Sequence, residues 1–285
     1  LQLKDNKLSI VATDLDIVFY DEINEVKILT EGSTTTSAAI LYDILRKISS
    51  DSDLNFDLKT ENKLSLKSDN SDFNLLCLPT DNFPTFADEF EGQEILLNNS
   101  RFLKLLNKTK IAISNDDTRH YLNGIFLHLT EGHGRNFLTG VATDSHRLSS
   151  SSLEIENVDN FSSLILPRKT VFQLCSLLTE SNEKLSMETS ENKVKFTLGK
   201  IKLISKVIDG KFPDYKKVVP TNNEKSLIVP SKDFIDSIER VASVSLDRKE
   251  GVKLLIKKEN VQFSVNSANS GEGNEIIKAN FSSDN

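Results

Sequence analysis

Ala12-Thr13-Asp14-Leu15 and Ala142-Thr143-Asp144-Ser145 are one motif met twice, 130 positions apart. Other landmarks repeat in the same order at nearly the same offset. Asn62-Lys63-Leu64 returns as Asn192-Lys193-Val194, and Asn82-Phe83-Pro84 as Lys211-Phe212-Pro213. A third copy begins later. Asn98-Asn99-Ser100-Arg101-Phe102 is echoed by Val229-Pro230-Ser231-Lys232-Asp233-Phe234, and Gly124-Ile125-Phe126 by Gly251-Val252-Lys253. A period this long marks a domain and not a turn of a solenoid. The chain divides accordingly into domains 1–94, 95–222 and 223–285. Only the middle copy carries every landmark. The first lacks a leading helix and strand, the third stops just past its Ala-Thr-Asp equivalent, and no initiator Met is present. The expectation is an excerpt from a longer protein.

Alternation of apolar and polar residues predicts strands at 7–11, 24–29, 54–58, 63–66, 73–78, 184–187, 193–198 and 203–207. Asn and Asp at 60–62, 68–70 and 190–192 read as hairpin turns. Helical spacing appears at Ser37 to Ile48, Ser100 to Ile113, Lys169 to Leu178 and Ser231 to Val244, with Ser100 and Ser231 as expected N-caps. The complete copy therefore reads helix, strands, helix, strands, an α+β domain with helices on one side of a long antiparallel sheet.

Composition sets limits. With 285 residues and 38% hydrophobic content there is enough apolar material for two or three cores. Cys77 and Cys175 sit within apolar runs, which suits a reducing cytoplasm and argues against a disulfide. No apolar run reaches about 18 residues, so no membrane partner is expected. Net charge is −7, which by itself disfavours a nucleic-acid partner. Its distribution says otherwise. Arg101, Lys104, Lys108 and Lys110 fall in a stretch without a single acid, while acids gather at Asp81 to Glu94 and Glu154 to Asp159.

No catalytic, metal or cofactor site is expected. Asp144-Ser145-His146-Arg147 contains the residue types of a hydrolase triad, but read as strand its neighbours point to opposite faces and cannot pair. His120, His128, His133 and His146 have no carboxylate at ligand spacing. Gly132-His133-Gly134 lacks the setting of a phosphate loop and reads as a hairpin tip. Two segments exceed a structural account: Arg119-His120-Tyr121-Leu122-Asn123-Gly124, and Asp209-Gly210-Lys211-Phe212-Pro213-Asp214-Tyr215-Lys216-Lys217-Val218.

These segments carry a resemblance. Tyr121-Leu122-Asn123-Gly124, Val141-Ala142-Thr143-Asp144-Ser145-His146-Arg147-Leu148, Leu166-Pro167-Arg168-Lys169 and Asp209-Gly210-Lys211-Phe212-Pro213-Asp214-Tyr215 together resemble the bacterial sliding clamp family, the beta subunit of DNA polymerase III. The likeness covers the whole chain. It implies repeated clamp domains, antiparallel sheets outside and helices lining a central hole, two subunits closing a ring around duplex DNA. Such a ring tethers DNA polymerases, is opened by a clamp loader, and makes and breaks no bond itself.

The resemblance also implies site residues. Arg101, Lys104, Lys108 and Lys110, with Arg46, Lys47, Arg168 and Lys169, are expected to line the hole, and His120 and Tyr121 to touch DNA from their loop. A cleft for apolar partner peptides is expected from Leu122, Thr143, Ser145, His146, Arg147, Leu148, Pro213, Lys217 and Val218. Ser145 stands where glycine is common, and Lys217 replaces a frequent Arg and its bidentate hydrogen bonding. Phe73 and Leu75 on an edge strand, with Val244 opposite, are the expected dimer contacts. The alternatives are a repeated β-rich recruitment scaffold that does not encircle DNA, and a hydrolase built on Asp144, Ser145 and His146.

Overall fold

The repeated motif ends a strand at the same point in both copies. Strand Lys7–Thr13 returns as Ile17–Asn24, pairing Thr13 with Val18, and strand Arg135–Thr143 returns as Leu148–Ile155, pairing Thr143 with Leu148. The Thr hydroxyl donates to the carbonyl four residues on, Ile17 or Arg147, at 2.8 Å in each. It also accepts the N–H of the fourth motif residue, Leu15 at 2.9 Å or Ser145 at 3.1 Å. That residue sits in the left-handed region in both copies, with φ of 77° at Leu15 and 76° at Ser145. Asp14 and Asp144 bind the next two N–H groups through Oδ1. Thr and Asp recur because their short side chains satisfy turn donors that no ladder reaches. Asp144 to Arg147 is thus a hairpin turn, not strand, and this corrects the strand reading of Ser145 and His146.

The structure, a computed structural model, describes residues 1–84, 90, 92, 94–156, 158, 161–179, 181, 183–246 and 250–282. The acidic runs Asp81 to Glu94 and Glu154 to Asp159 lie in part outside the described residues. The chain forms two compact units, Leu1–Phe212 and Pro213–Asn285.

The first unit holds an eight-stranded antiparallel sheet that crosses from the first repeat into the second. Its order is Gly32–Ser33, Gln2–Lys4, Lys7–Thr13, Ile17–Asn24, Ile201–Lys206, Lys193–Leu198, Lys184–Thr189 and Glu94–Asn98. The seam is the ladder joining Tyr20, Phe19, Val18 and Ile17 to Lys202, Leu203, Ile204 and Ser205. A four-stranded sheet runs Leu148–Ile155, Arg135–Thr143, Gly124–Gly132 and Leu164–Pro167; another runs Thr35–Thr36, Ser71–Leu78, Lys63–Ser68 and Asn55–Thr60. The expected strand at 24–29 is absent. Glu25 turns left-handed at φ 62° and ends Ile17–Asn24 at that point. His133 and Gly134, at φ 52° and 71°, form the two-residue hairpin tip read from the sequence.

Among the described residues this unit has three α-helices: α1 (Ala38–Leu45), α2 (Asn99–Thr109) and α3 (Arg168–Leu177). Ser37 caps α1. The cap of α2 is Asn98, whose Oδ1 accepts from Arg101 N at 2.9 Å, and Ser100 is the second residue of the helix. Asn98 reaches the free N–H groups first because Glu94–Asn98 runs directly into the helix. Phe102, Leu103, Leu105 and Leu106 of α2 join Val171 and Leu174 of α3, with Leu127, Leu138, Leu185, Met187 and Phe196 from the sheets, in one core. Each fully buried Leu or Phe contributes about 1.5–3 kcal/mol by leaving water.

The second unit has α4 (Ser231–Ala242), a three-stranded sheet of Lys253–Ile256, Asn260–Ser267 and Gly271–Lys278, and the pair Leu227–Ile228 with Asn280–Phe281. Val241, Val261, Phe263 and Val265 form its core. Pro230, not Ser231, precedes α4, and no side chain caps it. Proline's fixed φ starts the helix here without a side-chain acceptor.

Candidate nucleic-acid and partner surfaces

The periodicity that buries one face of α2 sets its basic residues on the other. Arg101, Lys104 and Lys108 are exposed at offsets of three and four, while Phe102, Leu105 and Leu106 between them are buried. Among the described residues, no acid pairs with any of the three. Lys110 begins a short 3-10 turn after α2, where its ammonium meets Asn107 Oδ1 at 2.6 Å and lies 5.6 Å from the centre of the Phe172 ring. Arg168, at the start of α3, stacks on the same ring at 5.3 Å and hydrogen-bonds Asn115.

Other expected cations are already engaged. Lys169 is bonded to Asp14 of the first repeat's turn, and Arg46 is paired with Asp43 at 3.0 Å. Lys47 is exposed on the turn after α1. His120 and Tyr121 lie on the 3-10 segment Asp117–Leu122, their rings edge to face at 5.8 Å. His120, Arg168 and Lys169 line one open groove of about 570 Å3 together with Asp16 and Asp117.

The expected cleft residues fall into two sets. Leu122, Thr143, Ser145, His146, Arg147 and Leu148 belong to the first unit, where the 3-10 segment and the Asp144 to Arg147 turn meet. Leu122 is only 2% exposed and is largely committed to packing, whereas Leu148 is half-buried and His146 and Arg147 are exposed. The Asp144 carboxyl is half-shielded, which opposes ionisation. The N–H groups of Arg147 and His146 and the Arg147 guanidinium outweigh that and hold it below the usual carboxylate range. Pro213, Lys217 and Val218 open the second unit. Lys217 pairs with Asp214 at 3.2 Å, and Val218 is 69% exposed on the 3-10 turn Tyr215–Val218.

Arg119 opens the segment singled out in the sequence, but the sequence reading gives it no role of its own. Its Nε binds Asp116 Oδ2 at 2.9 Å and its Nη1 donates to Ser145 Oγ at 2.6 Å, tying the His120-Tyr121 segment to the turn. Its place immediately before His120 was the available signal; the reach to residue 145 was not. The hydroxyl of Ser145 supplies the acceptor.

For the expected subunit contact, strand Ser71–Leu78 pairs with Lys63–Ser68 from Ser71 to Leu76, while among the described residues its other side is covered only at Leu78 and Cys77, by Thr35–Thr36. Phe73 and Leu75 point inward against Leu41, Ile44 and Phe56, and Leu76 is 86% exposed. Val244 packs over Gly273, where a Cβ would come within 2.9 Å of its Cγ2.

Family models match consecutive stretches of the chain: DNA polymerase III beta subunit N-terminal domain over 1–87, central domain over 96–214 and C-terminal domain over 216–285. The beta sliding clamp of Caulobacter vibrioides is 32% identical over 283 residues, covering 99% of this chain and 76% of the relative. The chain belongs to the DNA polymerase III beta sliding clamp family. Solved sliding clamps superpose on it closely. The one from Caulobacter crescentus gives a TM-score of 0.93 at 32% identity, and the griselimycin-bound one from Bartonella birtlesii 0.92 at 35%; each covers 99% of this chain and 76% of the other. The fold is the α+β three-domain sliding clamp fold, and the role of a beta sliding clamp is that of a processivity factor in DNA replication, a non-catalytic subunit. Among the described residues no helix is long and apolar enough to cross a membrane, and no group of three His, Cys, Asp or Glu could hold a metal.

Proposed function

We propose that this sliding clamp, as a cytoplasmic homodimeric ring with domains 1–94, 95–222 and 223–285, encircles duplex DNA without sequence preference and tethers the DNA polymerase III catalytic subunit. The observation that carries this is the α2 stripe of Arg101, Lys104 and Lys108, free of carboxylate partners among the described residues in a chain of net charge −7. A closed ring cannot leave its duplex sideways, so a weak phosphate attraction suffices. Arg46, Lys47, Lys110, His120, Tyr121, Arg168 and Lys169 are assigned to the same lining.

Binding of peptides from other DNA polymerases and the clamp loader is assigned to Leu122, Thr143, Ser145, His146, Arg147 and Leu148 of the first unit and to Pro213, Lys217 and Val218 of the second. Leu148 and Val218 offer apolar surface to a peptide anchor, and Arg147 and Lys217 its polar rim. The subunit contact uses the open edge of Ser71–Leu78, which Phe73 and Leu75 hold in place from beneath, with Val244 on the opposing side.

Loading the full-length protein onto circular DNA tests encirclement. The clamp stays on the closed circle and is lost once the circle is linearised. Equal loss from both forms overturns the ring and leaves a recruitment scaffold.

A further inference from the structure

We infer that Phe172 is a positioning residue for duplex DNA, its ring holding Lys110 and Arg168 as a fixed pair of uncompensated cations on the α2–α3 face. The inference rests on reading that face as the DNA lining.

Phe172 is 42% exposed, while its neighbours Val171 and Leu174 take the core. A large ring left in water at a helix surface gains little from burial. Its contacts are instead cationic. Arg168 lies one helical turn earlier, with Cζ 5.3 Å from the ring centre, and Lys110 approaches from α2's end, with Nζ at 5.6 Å. A ring face attracts a cation through its quadrupole and leaves the cation's charge uncancelled.

That distinguishes this pair from the cations that the described residues hold in ion pairs. Arg46, Arg119, Arg147, Lys169, Lys206 and Lys217 are each held by a carboxylate: Asp43, Asp116, Asp144, Asp14, Asp16 and Asp214. A phosphate must compete with those acids. The other polar partners of Lys110 and Arg168 among the described residues are neutral: the amide oxygens of Asn107 and Asn115, and the Cys175 thiol, whose pKa burial pushes up. Long cationic side chains lose rotamer freedom on meeting a phosphate, and a cation ordered beforehand has less to lose. The ring thus supplies order and the two cations keep full charge.

Equilibrium binding of the full-length protein to a short random-sequence duplex, across a salt series, tests this. Phe172→Leu is expected to weaken binding by roughly threefold to tenfold, with the log–log salt slope kept because both charges remain. Phe172→Tyr retains wild-type affinity. Lys110→Met with Arg168→Gln lowers the slope by about two units, and in that background Phe172→Leu has no further effect. If Phe172→Leu weakens binding equally in both backgrounds, the positioning role is wrong although the face still meets DNA. If the double neutralisation changes neither affinity nor slope, the DNA-lining reading fails and this inference with it. Unchanged melting of each variant is checked alongside, since Phe172 is outside the core.

Discussion

Asp144 binds Arg147 twice: Oδ1 accepts its backbone N–H at 3.0 Å and Oδ2 holds its guanidinium Nε at 3.0 Å. One carboxylate therefore sets both the path of the turn and the direction of the exposed Arg.

Asp144→Asn keeps an oxygen for the backbone but loses the charge. The folded carboxyl sits below its unfolded value of about 3.9, so its contribution is complete above that value and fades as pH falls through the folded one. Melting curves of wild type and variant should differ at neutral pH and converge in acid. A difference that persists below the folded value would mean that Asp144 acts through shape and not through charge.

Leu122 and Leu148 should separate under alanine substitution. Leu122, enclosed, is expected to cost about 2–5 kcal/mol of stability on truncation. Leu148, half-buried, should cost less and weaken binding of a polymerase-derived peptide while leaving subunit assembly intact. Denaturant melts and peptide titrations on the same two variants decide it, and unchanged peptide affinity in Leu148→Ala removes that residue from the cleft.

Charge reversal on α2 should act through salt. Lys104→Glu with Lys108→Glu is expected to lower the log–log slope of duplex binding by about two units or more. Arg46→Gln should change it less, because Asp43 already offsets that cation. Equal slopes for all three proteins would contradict the assignment of α2 to the DNA face.

Phe212→Ala tests the end of the first unit. Phe212 is buried and stacks on Phe126 with ring centres 4.9 Å apart and planes 5° from parallel. Its truncation should cost about 3–5 kcal/mol, read as a lower midpoint in denaturant. A loss under about 1 kcal/mol would mean that the stack does not anchor this segment.

The repeat made the fold legible because Thr and Asp are needed at the turn in both copies, whatever surrounds it. Helix spans were readable from their apolar stripes, and the α2 cations from the gaps in that stripe. Caps were not. Asn98 outcompeted Ser100 because the incoming strand delivered it to the free N–H groups. Contacts between distant segments were also hidden. Nothing in the spacing of Arg119 and Ser145, or of Lys110 and Phe172, announces that they meet. Lys169 read as a free cation until the fold brought Asp14 to it.

The ladder joining Ile17–Asn24 to Ile201–Lys206 has an evolutionary corollary. A joint made by peptide groups is indifferent to most of the side chains it passes through. Replacement can therefore run far along those strands before the joint between the first two repeats is disturbed, and relatives that keep only a third of their residues can still share the fold.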